Sequence, residues 1–227
     1  MSAIPVIAID GPAASGKGAV AQAVAERLGF RYLDSGAIYR AAALAIARSG
    51  LNIDSPDLSE VDVARIASSM NLNFRSGNIY ISNQNVTDAI RSEECGKNAS
   101  KIAVLPKLRQ ALLELQHSFR HAPGLVAEGR DMGTVVFPDA GLKIFLTASA
   151  QIRAERRHKQ LMEKGINATI KDLLGEIEAR DARDLGRSVA PLRASEGTIT
   201  IDTSTLDLTQ SIDAVLKLYR HNASKNE

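Results

Sequence analysis

Sulfur, net charge and long apolar runs are all scarce in this sequence. Cysteine occurs once, at Cys95 among 227 residues. One thiol cannot close an intrachain disulfide, and such cysteine usage fits a reducing, cytoplasmic compartment. The formal net charge is only +2, which argues against a general nucleic-acid binder or a membrane-surface protein. The first apolar run, Ile4 to Ile9, is too short for a membrane span and has no basic stretch before it, so no signal peptide is expected. Internal repeats and low-complexity tracts are missing. So is the Asn-Lys-x-Asp signature by which GTPases read guanine. The length suits one domain with a real core, and the polar tail from Asn222 to Glu227 is expected to fray.

What is present is a glycine loop in a telling place. Gly11, Pro12, Ala13, Ala14, Ser15, Gly16 and Lys17 spell a phosphate-binding loop, but Gly18 and Ala19 follow where Ser or Thr is usual. The apolar, β-branched run Ile4 to Ile9 precedes it and reads as a buried strand. Val20, Val24 and Leu28 follow at helical spacing, closed by Gly29. A loop between strand and helix turns backbone N–H groups onto phosphate oxygens and adds the partial charge of the helix N-terminus. Lys17 would reach the β- and γ-phosphates as a point charge.

The rest of the chain alternates. A short strand is expected at 30–33, helices at 38–48 and from Ser55-Pro56 to about 70, with Ser55 as N-cap. Residues 71–90 change character: apolar and polar residues alternate around turns, which is hairpin patterning. Helices follow at 92–104 and 107–120, and strands at 124–127 and 142–146. Charged helices span 150–164 and 170–183; a strand at 198–201 and a helix at 208–219 end the chain. Strand–helix alternation implies an α/β fold with a parallel sheet covered by helices, here with an antiparallel insert. Ligands of such sheets bind beyond the carboxyl ends of the strands, where the glycine loop, Gly129-Arg130-Asp131 and Thr147-Ala148 fall.

The arginines narrow the chemistry. Passing a phosphoryl group from ATP to another phosphate brings two polyanions together. The acceptor oxygen is already ionised, so dense positive charge matters more than a general base. Arginine forks onto phosphate and stays charged. Arg40, Arg130, Arg180 and Arg187 lie near predicted strand ends or on the late helices, with Arg187 expected on an exposed turn. Arg153, Arg156 and Arg157 fit equally a lid or a solvated face of Glu–Arg pairs. Arg180, Asp181, Arg183, Asp184 and Arg187 crowd together as a closing lid would. Glu128, ending the apolar run Leu125-Val-Ala, would either hold Mg²⁺ through water or sit in a strand-end ion pair.

At this point the sequence resembles the bacterial cytidylate kinases, nucleoside-monophosphate kinases that phosphorylate CMP and dCMP. The likeness rests on Ile9-Asp-Gly-Pro12 with Gly16-Lys-Gly18, and on Leu33-Asp-Ser-Gly-Ala-Ile-Tyr-Arg40. It continues through Asn98-Ala-Ser100, Pro106 with Arg109, and Glu128-Gly-Arg-Asp-Met-Gly-Thr-Val-Val-Phe-Pro-Asp139. It ends with Arg180-Asp181, Arg183-Asp184 and Arg187-Ser-Val-Ala-Pro191. It is collinear over nearly the whole chain.

The resemblance implies a P-loop kinase domain over 1–227 with a central five-stranded parallel sheet. It implies a small β insert at 71–90 near the monophosphate site and a helical lid over 150–190. Ser35, Ser100, Arg109 and Asp131 would face cytosine; Arg40, Arg130 and Arg187 would hold the acceptor phosphate; Arg180 and Asp184 would reach the ribose. Lys17 and the backbone of Gly11 to Ala19 would hold ATP, with Arg153 and Arg157 as lid contacts. Lys17, Arg130, Arg180 and Arg187 would carry the catalysis. The partners implied are CMP, dCMP, ATP and Mg²⁺, with no nucleic acid or membrane, for a monomer. Chemistry agrees on the base: Asp131 can accept from the cytosine amino group, and Arg109 or a Ser can donate to N3 or O2. Uracil would put a carbonyl against that carboxylate, which is costly.

Two positions depart from the pattern. Relatives commonly carry Thr where Ala19 stands and Asp where Glu128 stands. Gly18 is no departure, since glycine after the lysine is usual in these kinases and water takes the hydroxyl's place. Two rivals remain. One is an alcohol-directed kinase on the same fold, with Asp131 as its base. The other is a nucleotide-binding regulator that has lost catalysis.

Overall fold

The computed structural model describes residues 4–75, 77–163, 165–187 and 189–224. Residues 1–3, Ser76 within the expected hairpin insert, Lys164 within the expected lid helix, Ser188 and the tail 225–227 lie outside the described residues. The chain falls into two compact units, one comprising 1–33 with 119–227 and the other 34–118.

The first unit carries the central sheet. Strands β1 (Val6–Asp10), β2 (Arg31–Asp34), β6 (Leu125–Gly129), β7 (Leu142–Thr147) and β8 (Ile199–Asp202) lie in the order β2-β6-β1-β7-β8. The sheet is parallel, and its register sets Ile9 beside Glu128 and Asp10 beside Gly129. All five residues of β1 are buried, as a central strand covered on both faces requires. Ile7 and Ile9 are fully buried, each stabilising the fold by roughly 1.5–3 kcal/mol relative to exposure. They pack with Val20 and Val24 of helix α1 (Lys17–Leu28) and with Ile212 and Val215 of helix α9 (Leu208–Ala223). A separate cluster, Ala154, Leu161, Leu173 and Ile177, joins helices α7 (Ala150–Glu163) and α8 (Ile170–Leu185).

The second unit is helical around a small sheet. Strands β3 (Leu72–Arg75), β4 (Asn78–Ile81) and β5 (Gln84–Asn85) are antiparallel, the hairpin insert expected from the alternation. Helix α4 (Thr87–Ile90) follows. Ile79, Val86 and Ile90 pack with Ala37 and Ala41 of helix α2 (Ser35–Arg48) and Cys95 of helix α5 (Glu93–Ile102). Helix α3 (Glu60–Ser68) and helix α6 (Pro106–His117) complete this unit.

Two helix starts differ from expectation. Ser55-Pro56 does not open a helix: the Ser55 hydroxyl accepts the Asp57 N–H in a local turn. Helix α3 instead starts after Ser59, whose hydroxyl accepts the Asp62 N–H, with Glu60 and Asp62 in its first turn. Helix α2 begins three residues early, at Ser35, because the Asp34 carboxylate accepts the Ala37 N–H as N-cap.

Candidate active site

The glycine loop of the first unit runs from the end of β1 into α1 without a side-chain cap. Gly16 takes the N-cap position at φ 88°, a conformation that favours glycine. Ala14 also has positive φ, at 58°, uncommon for a residue with a Cβ. The loop therefore leaves its first-turn N–H groups uncapped, which is what phosphate recognition needs. Lys17 is buried; its Nζ donates to the Pro12 carbonyl at 3.2 Å and lies 3.7 Å from Glu128 Oε2. The Ser15 hydroxyl is buried with no hydrogen-bond partner among the described residues.

Space at position 18 is tight. A Cβ built on Gly18 would stand 3.1 Å from Glu128 Oε1. The carboxylate, which also receives a long hydrogen bond of 3.4 Å from the Tyr32 hydroxyl, fills the space that a Ser or Thr would enter. Ala19, by contrast, is exposed on the first turn of α1.

Two arginines of α7 brace the loop from behind. Arg156 donates to the carbonyls of Ser15 at 3.3 Å and Thr203 at 2.5 Å, and to the Thr203 hydroxyl at 3.1 Å. Arg153 donates to the Ala13 carbonyl at 3.1 Å and pairs with Asp181. Arg157 is half-buried and makes a long bond of 3.4 Å to Gln160.

On α8, Asp184 is fully buried. One of its oxygens accepts from Arg130 Nε at 3.0 Å, and the other from Arg187 Nη2. Three of the sequence-predicted residues thus meet in one cluster. Arg187 does not lie on an exposed turn: its side chain is only 6% exposed, because pairing with a buried carboxylate draws it in. Arg180 lies one turn before Asp184 on α8.

The Arg130-Asp131 segment is fixed by a carboxylate that sequence patterning did not single out. Asp10 ends β1, and its two oxygens accept the N–H groups of Met132 and Gly133 at 2.8 Å each. These open a π-helical turn, Met132–Val136, which sequence patterning also missed. Burial pushes the Asp10 carboxyl up to about 6; the nearby Asp131 adds to this, while the two N–H bonds and Arg130 oppose it. Asp131 itself is buried.

The second unit holds Ser35, Arg40, Ser100 and Arg109. The Ser35 hydroxyl donates to Gln116 at 2.7 Å, and Gln116 is buried. Arg40 Nη1 donates to the carbonyls of Ile90 at 2.8 Å and Ser92 at 3.0 Å. Its guanidinium lies over the Cα of Gly96 so closely that a Cβ there would stand 2.7 Å from Nη2. Arg109 donates to the Ala103 carbonyl at 3.2 Å and sits 6.0 Å from the Tyr39 ring centre, the outer limit of a cation–π contact. The Ser100 hydroxyl is buried without a hydrogen-bond partner among the described residues. Gln116, Gly96 and Tyr39 were not foreseen; only the short DSGAIYR stretch, which contains Tyr39, carried a signal for any of them.

A family model described as cytidylate kinase matches residues 7–221. A protein named cytidylate kinase from Polynucleobacter asymbioticus is 52% identical over 97% of this chain and 98% of its own length. One from Cupriavidus necator is 52% identical, covering 96% of this chain and 97% of itself. One from Nitrosomonas europaea is 51% identical, with 95% of each chain covered.

Proposed function

Because the chain belongs to the cytidylate kinase family, we propose that it transfers the γ-phosphoryl group of ATP to CMP or dCMP, giving ADP and CDP or dCDP. Lys17 and the N–H groups of the glycine loop hold the donor phosphates, and Arg157 meets them from the lid helix. The acceptor phosphate is met by Arg40, Arg130 and Arg187. Its oxygen arrives ionised, so charge and alignment do the work. Asp184 acts by holding two of these arginines in a fixed fork, and Arg180 reaches the ribose.

The observation that carries the reading is the buried Asp184 gripping Arg130 and Arg187. A buried carboxylate is costly unless paired, and here it sets two phosphate-binding guanidinium groups on the unit that also bears Lys17. Cytosine is read by Asp131 through its amino group, with Ser35, Ser100 and Arg109 supplying the other contacts. The unpartnered Ser100 hydroxyl supports this.

The donors present fit Mg²⁺ carried on the phosphates. Among the described residues no group of three His, Cys, Asp or Glu could cage a metal, but Glu128 stands beside Lys17 and can touch a hydrated ion. When bound, Mg²⁺ neutralises charge on the transferring phosphates. The enzyme acts in the cytoplasm, a reading supported by its single, buried cysteine, and acts as a monomer, which sedimentation tests. No helix among the described residues is long and apolar enough to cross a membrane.

A coupled ADP-release assay across CMP, dCMP, UMP, AMP and shikimate tests the reaction. CMP and dCMP turn over and UMP is poor; equal kcat/KM for UMP would overturn the base assignment, and turnover of shikimate would favour an alcohol kinase.

A further inference from the structure

Arg153 on α7 is only 4% exposed, and its guanidinium is engaged on three sides. Nε donates to the Ala148 carbonyl at 2.9 Å. Nη1 donates to the Ala13 carbonyl and to Asp181 Oδ1, each at 3.1 Å, and Nη2 donates to Asp181 Oδ2 at 2.5 Å. Ala13 belongs to the phosphate loop. Asp181 belongs to α8, three residues before Asp184, so the two carboxylates are neighbours on one helix face. The first grips an arginine that holds the donor loop. The second grips Arg130 and Arg187. A single rigid helix thus spans the two fixings.

We propose that Arg153 is a positioning residue that ties the phosphate loop to α8 and so keeps the loop in register with Arg130 and Arg187. The inference rests on the kinase reading above and deepens it. A bidentate Arg–carboxylate pair fixes orientation as well as distance. Lysine cannot reproduce it, because one ammonium cannot fork onto Asp181 while bonding two carbonyls. Transfer between two phosphates is sensitive to such register, since an error of about 1 Å in placement can cost 10²-fold in rate. A guanidinium held this way acts through the loop and the helix.

The test is steady-state kinetics with both substrates varied, plus thermal unfolding. The proteins are wild type, Arg153→Ala, Arg153→Lys, Asp181→Ala, Asp181→Asn and the Arg153→Ala/Asp181→Ala double variant. The expected result is that each alanine variant lowers kcat roughly tenfold or more and raises KM for CMP. The double variant is no worse than the poorer single one. Asp181→Asn, which keeps shape and one acceptor, recovers part of kcat, whereas Arg153→Lys does not. Should Arg153→Ala fail to fold, Arg153→Lys and Asp181→Asn carry the comparison.

A rise in KM for ATP alone in Arg153→Ala, with Asp181→Ala like wild type, would overturn the proposal in favour of direct ATP contact. A lowered Tm with unchanged kcat and KM would reduce Arg153 to packing. Failure of the kinase reading looks different: wild type would release no ADP with CMP. Calorimetric ATP binding then decides. Weakened binding in Asp181→Ala, a residue outside the loop, upholds the tie, and unchanged binding overturns it.

Discussion

Replacing Gly96 by alanine should separate stability from activity. Gly96 lies within α5, where alanine is favoured over glycine by about 0.8–1.0 kcal/mol. The new methyl would stand 2.7 Å from Arg40 Nη2 and 3.0 Å from Cζ and Nη1, closer than carbon tolerates. Those atoms are the tip of a flexible side chain, so Arg40 moves and the helix does not. Moving Arg40 strains its bonds to the carbonyls of Ile90 and Ser92. Each is worth about 1.5–3 kcal/mol if lost outright, less once water replaces the carbonyl. Fold stability should therefore change little. The acceptor-phosphate fork, displaced by something near 1 Å, should raise KM for CMP by about 10- to 100-fold. KM for ATP should hold, because the glycine loop belongs to the other unit. Gly175→Ala is the control: it lies in α8 with nothing within 4 Å of its Cβ position, and should gain stability without any kinetic change. An unchanged KM for CMP in a folded Gly96→Ala enzyme would refute the placing of Arg40 on the substrate.

Arg187→Ala should lower kcat by about 100-fold or more, roughly 3 kcal/mol of transition-state stabilisation; single-turnover rates in a folded variant check this, and near-normal turnover would sink the role. It should also cost some stability, since the buried Asp184 keeps Arg130 but loses its second partner. Asp10 makes stability pH-dependent. Its carboxyl is raised from 3.8 to about 6 in the fold, so the folded state binds the extra proton between those values. Stability is then greatest below pH 4 as far as this group goes, and falls by about 3 kcal/mol as pH rises through 6. Denaturant titrations at pH 4.5 and 7 should show about 2 kcal/mol of that loss, shrinking in Asp10→Asn. Ala19→Thr should stay active and lower KM for ATP a few-fold, since position 19 is exposed and one hydrogen bond to a charged group adds about 1.5 kcal/mol at the lower end; an inactive variant would show the loop is packed too tightly there.

Strands and loop were legible because their signals are local. The unbroken apolar run of β1, the hairpin alternation of β3 and β4, and the glycines before Lys17 each state their structure within a few residues. What escaped depends on partners far away in the chain. Arg187 looks like a turn residue by its neighbours, and only the burial of Asp184 shows why it turns inward. Asp10 reads as the last residue of a strand, yet its use is set by N–H groups at Met132 and Gly133, more than a hundred residues on. Ser55 and Ser59 are both plausible caps. The choice fell to Ser59, which is followed by two acids, while Ser55 spent its hydroxyl on Asp57.

The carboxylate packed over Gly18 has an evolutionary consequence. A serine at 18 would bring its Cβ to 3.1 Å from Glu128 Oε1, so the acid beside Lys17 would have to give by a few tenths of an ångström to admit a hydroxyl there. Shortening Glu128 to aspartate first would open the room, after which serine would be admissible. The variant with the hydroxyl but the longer acid should be the less stable of the two single variants. Substitutions at 18 and 128 should therefore be coupled, although the two positions lie on different elements and 110 residues apart in the chain.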